Sequence, residues 1–336
     1  MSDARTVEWV KGQVRMIDQT KLPDRFVYVK LKTHRQVARA IREMVVRGAP
    51  AIGVAAAMGM ALAATASKAK DKDKFLEEMR GAGVFLCRSR PTARNLFWAV
   101  DRVLRKAESA GGGVKEMVSE IVLEAENIAR EDIEANHKIG EFGSALIKDE
   151  SSVLTHCNAG TLATVSYGTA LAPIRTAVRQ GKRVSVIATE TRPRLQGAKL
   201  TSFELVRDGI PVTLVVDGAV GYVMRMGMVQ LVIVGADRIT SRVVANKIGT
   251  YQVALAAKAN RIPFYVAAPT STLDLKGGVF KIEERVPEEV THIGGRRIVP
   301  RGVRVFNPSF DETPIELVTG VITEKGILRP DELVGA

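Results

Sequence analysis

The chain has 336 residues and 46% hydrophobic content, enough for a large core and two domains, which excludes a disordered protein. Its only two cysteines, Cys87 and Cys157, exclude a disulfide framework and point to a reducing, cytoplasmic compartment. A net charge of +12, from 49 basic and 37 acidic residues, raises nucleic acid as a partner, yet aromatics are only 5% and the basic residues are scattered. An anionic small molecule suits that charge better.

In chain order, Met1 to Asp24 mixes charges throughout and lacks the parts of a signal peptide. From Arg35 to Val46, apolar residues Val37, Ala40, Ile41, Met44 and Val45 recur at helical spacing until Arg47-Gly48-Ala49-Pro50 interrupts them. A second helix is predicted from about Pro50. The apolar stretch from Ala49 to Ala66 is nearly long enough to span a membrane, but it is mostly Ala and Gly, which suits a tightly packed buried helix. Helical patterns follow from Lys74 to Leu86, Ala93 to Ala107 and Val114 to about Ile147, separated by Ser89-Arg90-Pro91-Thr92 and Gly111-Gly112-Gly113.

After Glu150 the texture changes to β-branched runs alternating with helical segments: Val153 to Cys157, Arg183 to Thr189, Pro211 to Val216, Leu231 to Gly235 and Pro263 to Ala267. That alternation predicts βαβ units and a doubly wound parallel sheet. The expected division is a mainly helical N-terminal domain over residues 1–130 and an α/β domain over 131–336.

Two reactive side chains fall at the carboxyl ends of such runs, where open parallel sheets take ligands. Cys157 ends Thr155-His156-Cys157 and Asp237 follows Val234-Gly235-Ala236. By itself Cys157 reads as a small buried hydrophobe. The turn Asn158-Ala159-Gly160, entering an expected helix with Thr161 as cap, would instead surround the thiol with free backbone N–H groups. Asp237 alone reads equally as a helix cap or a partner of Arg238. Together they make a plausible acid/base pair.

Asn246 and Lys247, ahead of a further helix, supply an amide and an ammonium to grip an anion. Arg47 and Gly48, just before the helix N-terminus at Ala49-Pro50, have the arrangement that binds phosphate through N–H groups and the helix dipole. Arg90-Pro91 and the turn from Thr191 to Gly197 are further polar turns, and together these favour a phosphorylated metabolite. The glycines lack a dinucleotide or P-loop spacing, and His34, His137, His156 and His292 lack paired ligand spacing, so neither a nucleotide cofactor nor a metal is indicated.

The runs Val46 to Gly53, Ser89 to Thr92, Thr155 to Gly160, Glu190 to Gly197, Gly235 to Ile239 and Ala245 to Tyr251 jointly resemble the methylthioribose-1-phosphate isomerase family. The likeness extends from about Val14 to about Leu328 and includes Ile282 to Arg285 and Asn307 to Asp311. It implies a small N-terminal domain with a short sheet, a Rossmann-like C-terminal domain, a homodimer, no cofactor, and aldose-ketose isomerisation of 5-methylthioribose 1-phosphate in methionine salvage. It also implies that Cys157 and Asp237 are catalytic, and that Arg47, Gly48, Ala49, Arg90, Gln196, Asn246 and Lys247 bind substrate. Ser241-Arg242-Val243-Val244 and Asp217-Gly218-Ala219 depart from the family pattern near the expected pocket. The wider superfamily also contains isomerases of 5-deoxyribose 1-phosphate and ribose 1,5-bisphosphate, and the non-catalytic regulatory subunits of initiation factor 2B. Retention of both Cys157 and Asp237 favours an enzyme.

Overall fold

The computed structural model describes residues 1, 3–91, 93–275 and 282–334; Thr92, the last residue of the Ser89 turn, lies outside the described residues. The chain forms two compact units, residues 1–138 with 159–169, and residues 139–158 with 170–336.

The first unit opens with the short sheet that the resemblance implies, strands β1 (Val7–Val10), β2 (Gln13–Ile17) and β3 (Tyr28–Leu31), paired antiparallel. Helix α1 (His34–Arg42) starts with a reciprocal capping box between Thr33 and Gln36. It ends before the expected Val46. Met44, at φ 59°, donates to the Ile41 carbonyl while Val45 donates to Ala40, which closes the helix through a left-handed residue despite continuing apolar periodicity.

Helix α2 (Ala49–Ala66) is apolar all round, and its residues from Ala51 to Ala64 are all buried. Of its 18 residues 78% are buried, and their small side chains let neighbouring elements approach closely, as a core helix requires. Around it stand α1, α3 (Lys72–Cys87), α4 (Arg94–Ser109) and the start of α5 (Val114–Ser144). Val46, Leu86, Leu96, Val103 and Ile121 are among the residues that complete this core.

The second unit is built on a seven-stranded sheet, in agreement with the α/β fold expected from the alternating runs. In chain order it comprises β4 (Ser151–Thr155), α6 (Leu171–Arg179), β5 (Val184–Thr189), α7 (Ser202–Arg207), β6 (Val212–Val215), α8 (Val220–Arg225) and β7 (Leu231–Val234). A three-stranded antiparallel sheet follows from β8 (Arg238–Ile239) and β9 (Val243–Lys247), later joined by β13 (Phe310–Pro314). Then come α9 (Thr250–Ala259), β10 (Phe264–Ala267), α10 (Glu288–Thr291), the hairpin β11 (His292–Ile293) with β12 (Arg296–Arg297), and β13 (Phe310–Pro314). The chain closes with β14 (Gly320–Thr323), β15 (Gly326–Leu328) and α11 (Pro330–Val334).

Strand order in the large sheet is β15-β14-β10-β7-β4-β5-β6, parallel except for the β14–β15 pair. Val232, Val234, Val266 and Val321 are fully buried, as strands covered on both faces must be.

Candidate active site

The strand order brings the ends of two strands 80 positions apart in sequence side by side. From β4 the chain builds outward through β5 and β6 on one side, then returns to β7 and builds through β10 and β14 on the other. The order in which strands are added therefore reverses between the parallel neighbours β4 and β7, and at such a switch point a crevice opens beyond the carboxyl ends of the strands. Cys157 follows the end of β4 and Asp237 the end of β7. Parallel register, with Leu154 opposite Val232, carries both chains past the same sheet edge.

Cys157 is half-buried and sits at φ 65°, a left-handed conformation uncommon outside glycine. Its backbone is held on both sides. The N–H donates to Thr191 Oγ1 at 2.9 Å, and the carbonyl accepts from Thr201 Oγ1 at 2.7 Å. The Asn158 amide then donates to Glu204 Oε1 at 2.9 Å, and Glu204 is in turn bonded by Arg175 at 2.8 Å. Arg175 also bonds Asp208, so a buried charged cluster anchors the turn.

The helix expected directly after Cys157 does not form. Only a 3-10 turn, Thr161–Ala163, follows, with no side-chain cap, and α6 begins at Leu171. Thr164, extended at φ −129° and ψ −169°, ends the turn, and the segment 159–169, with positive φ at Tyr167 and Gly168, packs into the first unit. Cys157 is thus placed by side-chain bonds to its backbone rather than by a helix N-terminus.

Asp237 is half-buried, and its N–H donates to the Ala245 carbonyl at 3.0 Å. Strand β8 follows it, so Asp237 caps no helix, and Arg238 pairs with Asp274 at 2.8 Å. The Ala245 bond sets Asp237 beside the end of β9, where Asn246 and Lys247 stand. These two belong to the strand itself rather than to a turn. Asn246 Nδ2 donates to Thr250 Oγ1 at 3.0 Å; Lys247 Nζ donates to the Ser309 carbonyl at 2.6 Å and lies 4.7 Å from the Phe310 ring centre.

Gln196 ends the turn from Thr191. Its Oε1 is buried and accepts no hydrogen bond from the described residues, an acceptor matched to a ligand hydroxyl. In the second unit Cys157, Gln196 and Asp237 follow strands of the large sheet, and Asn246 and Lys247 lie on β9 of the adjoining antiparallel sheet, whose Ala245 bonds Asp237.

The remaining candidates belong to the first unit. Gly48, at φ 90°, precedes α2, and a Cβ there would lie 2.5 Å from the backbone of Ala163, so only glycine fits. Ala49 is the first residue of α2, whose first-turn N–H groups and dipole attract anions, and half-buried Arg47 stands just ahead. Arg90 is half-buried in the turn between α3 and α4. Val46 and Val165 are 0% and 2% exposed and serve that unit's core.

Sequence reasoning missed three contributors. Asp217, noticed only as a departure, accepts from the backbone N–H groups of Thr191 and Arg192 at 2.8 and 2.7 Å and so holds the turn that ends in Gln196. Its position after β6, at the same sheet end, was the available signal. Asp311 accepts from Gly249 and Tyr251 N–H at the start of α9, and burial pushes its carboxyl up to about 6. His156 bridges Thr189 and the Ile248 carbonyl, contacts invisible in sequence.

Among the described residues, no three of His, Cys, Asp or Glu are grouped to hold a metal ion. Fold and site together define an α/β protein that presents a thiol, a carboxylate and a cationic strand end at the switch point of a doubly wound sheet.

Comparison with known proteins narrows that class. The Initiation factor 2 subunit family model matches residues 45–330. Methylthioribose-1-phosphate isomerase of Thermosipho melanesiensis is 54% identical over 97% of this chain and 95% of its own length, and that of Thermotoga maritima is 52% identical over the same shares. Among solved structures, 5-methylthioribose 1-phosphate isomerase from Pyrococcus horikoshii OT3 superposes with a TM-score of 0.92 at 45% identity, covering 99% of this chain and 94% of that one. A structure described as translation initiation factor eIF-2B, subunit delta, from A. fulgidus superposes at 0.88 with 49% identity, covering 98% and 96%. The chain belongs to the Initiation factor 2 subunit family and, within it, to the methylthioribose-1-phosphate isomerases.

Proposed function

We propose that this protein converts 5-methylthioribose 1-phosphate into 5-methylthioribulose 1-phosphate, as an aldose-ketose isomerase of methionine salvage. The observation that carries the reading is the placement of Cys157 and Asp237 beyond the two strands flanking the switch point, in a chain about half identical to isomerases over nearly its full length. An aldose 1-phosphate cannot open its ring spontaneously, because the anomeric oxygen is esterified. An acid must protonate the ring oxygen as its bond to C1 breaks, and Asp237 takes that role. Hydrogen then moves from C2 to C1. Cys157 serves this step, either relaying a proton through an enediol or polarising the centre beside a hydride shift. Oxidation at C2 balances reduction at C1, so the net reaction consumes no external oxidant or reductant.

Lys247 and Asn246 are assigned to the substrate's anionic end, and Gln196 Oε1 to a sugar hydroxyl. Arg47, Gly48, Ala49 and Arg90 are assigned to substrate binding on their motifs and, for the first three, on the local geometry at the start of α2. Arg242 lies exposed in the β8–β9 turn, which favours a methylthio tail over a 5-phosphate. We place the protein in the cytoplasm as a homodimer. The parallel edge strand β6 and the segment after it expose Leu214, Val216, Tyr222 and Met226, an apolar border suited to a second copy.

The test is a phosphorus NMR assay of the purified chain alone with 5-methylthioribose 1-phosphate, where ketose 1-phosphate should accumulate to equilibrium. Run in D2O, deuterium at C1 of the product marks the proton route. The 49% identity to the A. fulgidus protein named as an initiation-factor subunit motivates a second reading, a non-catalytic regulatory subunit. An inert chain that co-purifies with initiation-factor subunits would establish that reading and remove the first.

A further inference from the structure

The backbone geometry around Cys157 raises a question that the acid/base pair does not answer: what keeps a non-glycine residue in a left-handed conformation at a strand end? Thr191, whose hydroxyl accepts the Cys157 N–H, is itself left-handed at φ 62°, an outlier for a β-branched residue. It is held there by Asp217 Oδ1, which accepts its N–H at 2.8 Å. Such strain persists only where surrounding structure over-determines it.

The bonds leading to Thr191 have a forced direction. The Ile248 carbonyl can only accept, so His156 Nε2, 2.8 Å away, carries a hydrogen. His156 is 2% exposed, and burial holds it below its usual pKa, which favours the neutral ring. Nδ1 then accepts, and Thr189 Oγ1, at 2.7 Å, donates. With its single hydrogen spent, Thr189 Oγ1 can only accept from Thr191 Oγ1 at 3.2 Å. Thr191 Oγ1, with its hydrogen turned towards Thr189 Oγ1 or the Thr189 carbonyl at 3.3 Å, keeps a lone pair for the Cys157 N–H. Thr189 and Thr191 are fully buried, so water does not compete for these groups. Gly249, at φ 101°, seals the far end: a Cβ there would lie 2.9 Å from His156 Cε1.

We propose that Thr191 is a positioning residue for Cys157, its hydroxyl oriented by Thr189 and His156 so that the Cys157 backbone aims the thiol across the switch point. Through His156 and Ile248, the same chain of bonds joins the thiol's turn to the strand end that carries Asn246 and Lys247. The inference rests on the assignment of Cys157 to the isomerase step, and it adds the device that holds the thiol in register with the anion grip.

The test compares Thr191→Val, which keeps shape and β-branching but removes the hydroxyl, with Thr191→Ser, which restores it. In Thr191→Val, kcat should fall about 10- to 100-fold with KM within about twofold, as expected for a displaced reacting group. Iodoacetamide labelling of Cys157, followed by peptide mass mapping, should be about fivefold faster, the population change from losing one hydrogen bond. Thr191→Ser should recover both. Labelling needs no turnover, so faster labelling in a chain that shows no isomerase activity would support the positioning while removing the isomerase reading. Unchanged labelling and kcat in Thr191→Val, or a Thr191→Ser variant as impaired as the valine, would overturn the proposal. Nitrogen-15 NMR of the native protein adds a check that needs no variant: His156 should carry its hydrogen on Nε2, and an Nδ1–H tautomer overturns the proposal.

Discussion

Replacing Glu204 by methionine tests whether the charged cluster beneath the Cys157 turn is structural. Glu204 is 0% exposed and receives Arg175 Nη2 at 2.8 Å and Asn158 Nδ2 at 2.9 Å. In Glu204→Met the guanidinium of Arg175, itself 2% exposed, stays buried and loses one carboxylate while keeping its bonds to Asp208 at 2.6 and 2.9 Å. Removing one partner of a buried pair costs about 3–5 kcal/mol; with Asp208 retained, about 3 kcal/mol is expected. For a domain of this size, about 2–4 °C of melting temperature follows each kcal/mol, so Tm should fall by about 6–12 °C in scanning calorimetry. The double variant Glu204→Met with Arg175→Met should recover much of that loss, because no uncompensated guanidinium remains. A single-variant loss below about 1 kcal/mol, the range of exposed pairs, would refute the reasoning. So would a double variant no better than the sum of the singles.

Cys157→Ala and Asp237→Asn should each lower kcat by about 10²–10⁴ with the melting temperature near that of the native chain; near-normal kcat in either removes its assignment. Lys247→Met should weaken calorimetric binding of the phosphorylated sugar by about 1.5–3 kcal/mol, and unchanged affinity would detach Lys247 from the anion. Burial pushes the Asp132 carboxyl up to about 7 although Val165 N–H and Asn136 donate to it. The folded chain therefore holds a proton there that the unfolded chain releases near pH 4, so this group's contribution to stability is complete below about pH 4 and is lost as pH rises through about 7. Melting scans from pH 4.5 to 8 should show Asp132→Asn with a flatter decline than the native chain; parallel curves would refute the shift. For substrate choice, kcat/KM should rank 5-methylthioribose 1-phosphate above 5-deoxyribose 1-phosphate and both above ribose 1,5-bisphosphate, and a side-by-side assay that places the bisphosphate first overturns the order.

The sequence by itself determined the elements whose signal is local. Alternating β-branched runs and helical spacings located β4, β5, β6, β7 and β10, and the all-apolar, small-residue stretch at α2 identified a buried helix, because covering both sides of a strand or every side of a helix leaves a continuous apolar pattern. Cys157 and Asp237 stood out as polar residues at the ends of apolar runs, and Asn246 and Lys247 as an amide and an ammonium ahead of a helix. Tertiary structure decided what depends on partners distant in sequence. Strand order set Cys157 and Asp237 beyond neighbouring strands, a relation that no spacing encodes. The expected helix after Cys157 gave way to a segment drawn into the first unit, where Thr164 turns extended directly after the 3-10 turn and packing overrides local propensity. The roles of Asp217, His156 and Thr191 rest on bonds spanning 26, 33, 34 and 92 positions. Each is an ordinary polar residue in sequence; His156 and Thr191 acquire their bonds where burial removes water, and half-buried Asp217 acquires its bonds where the fold brings two backbone N–H groups to its carboxylate.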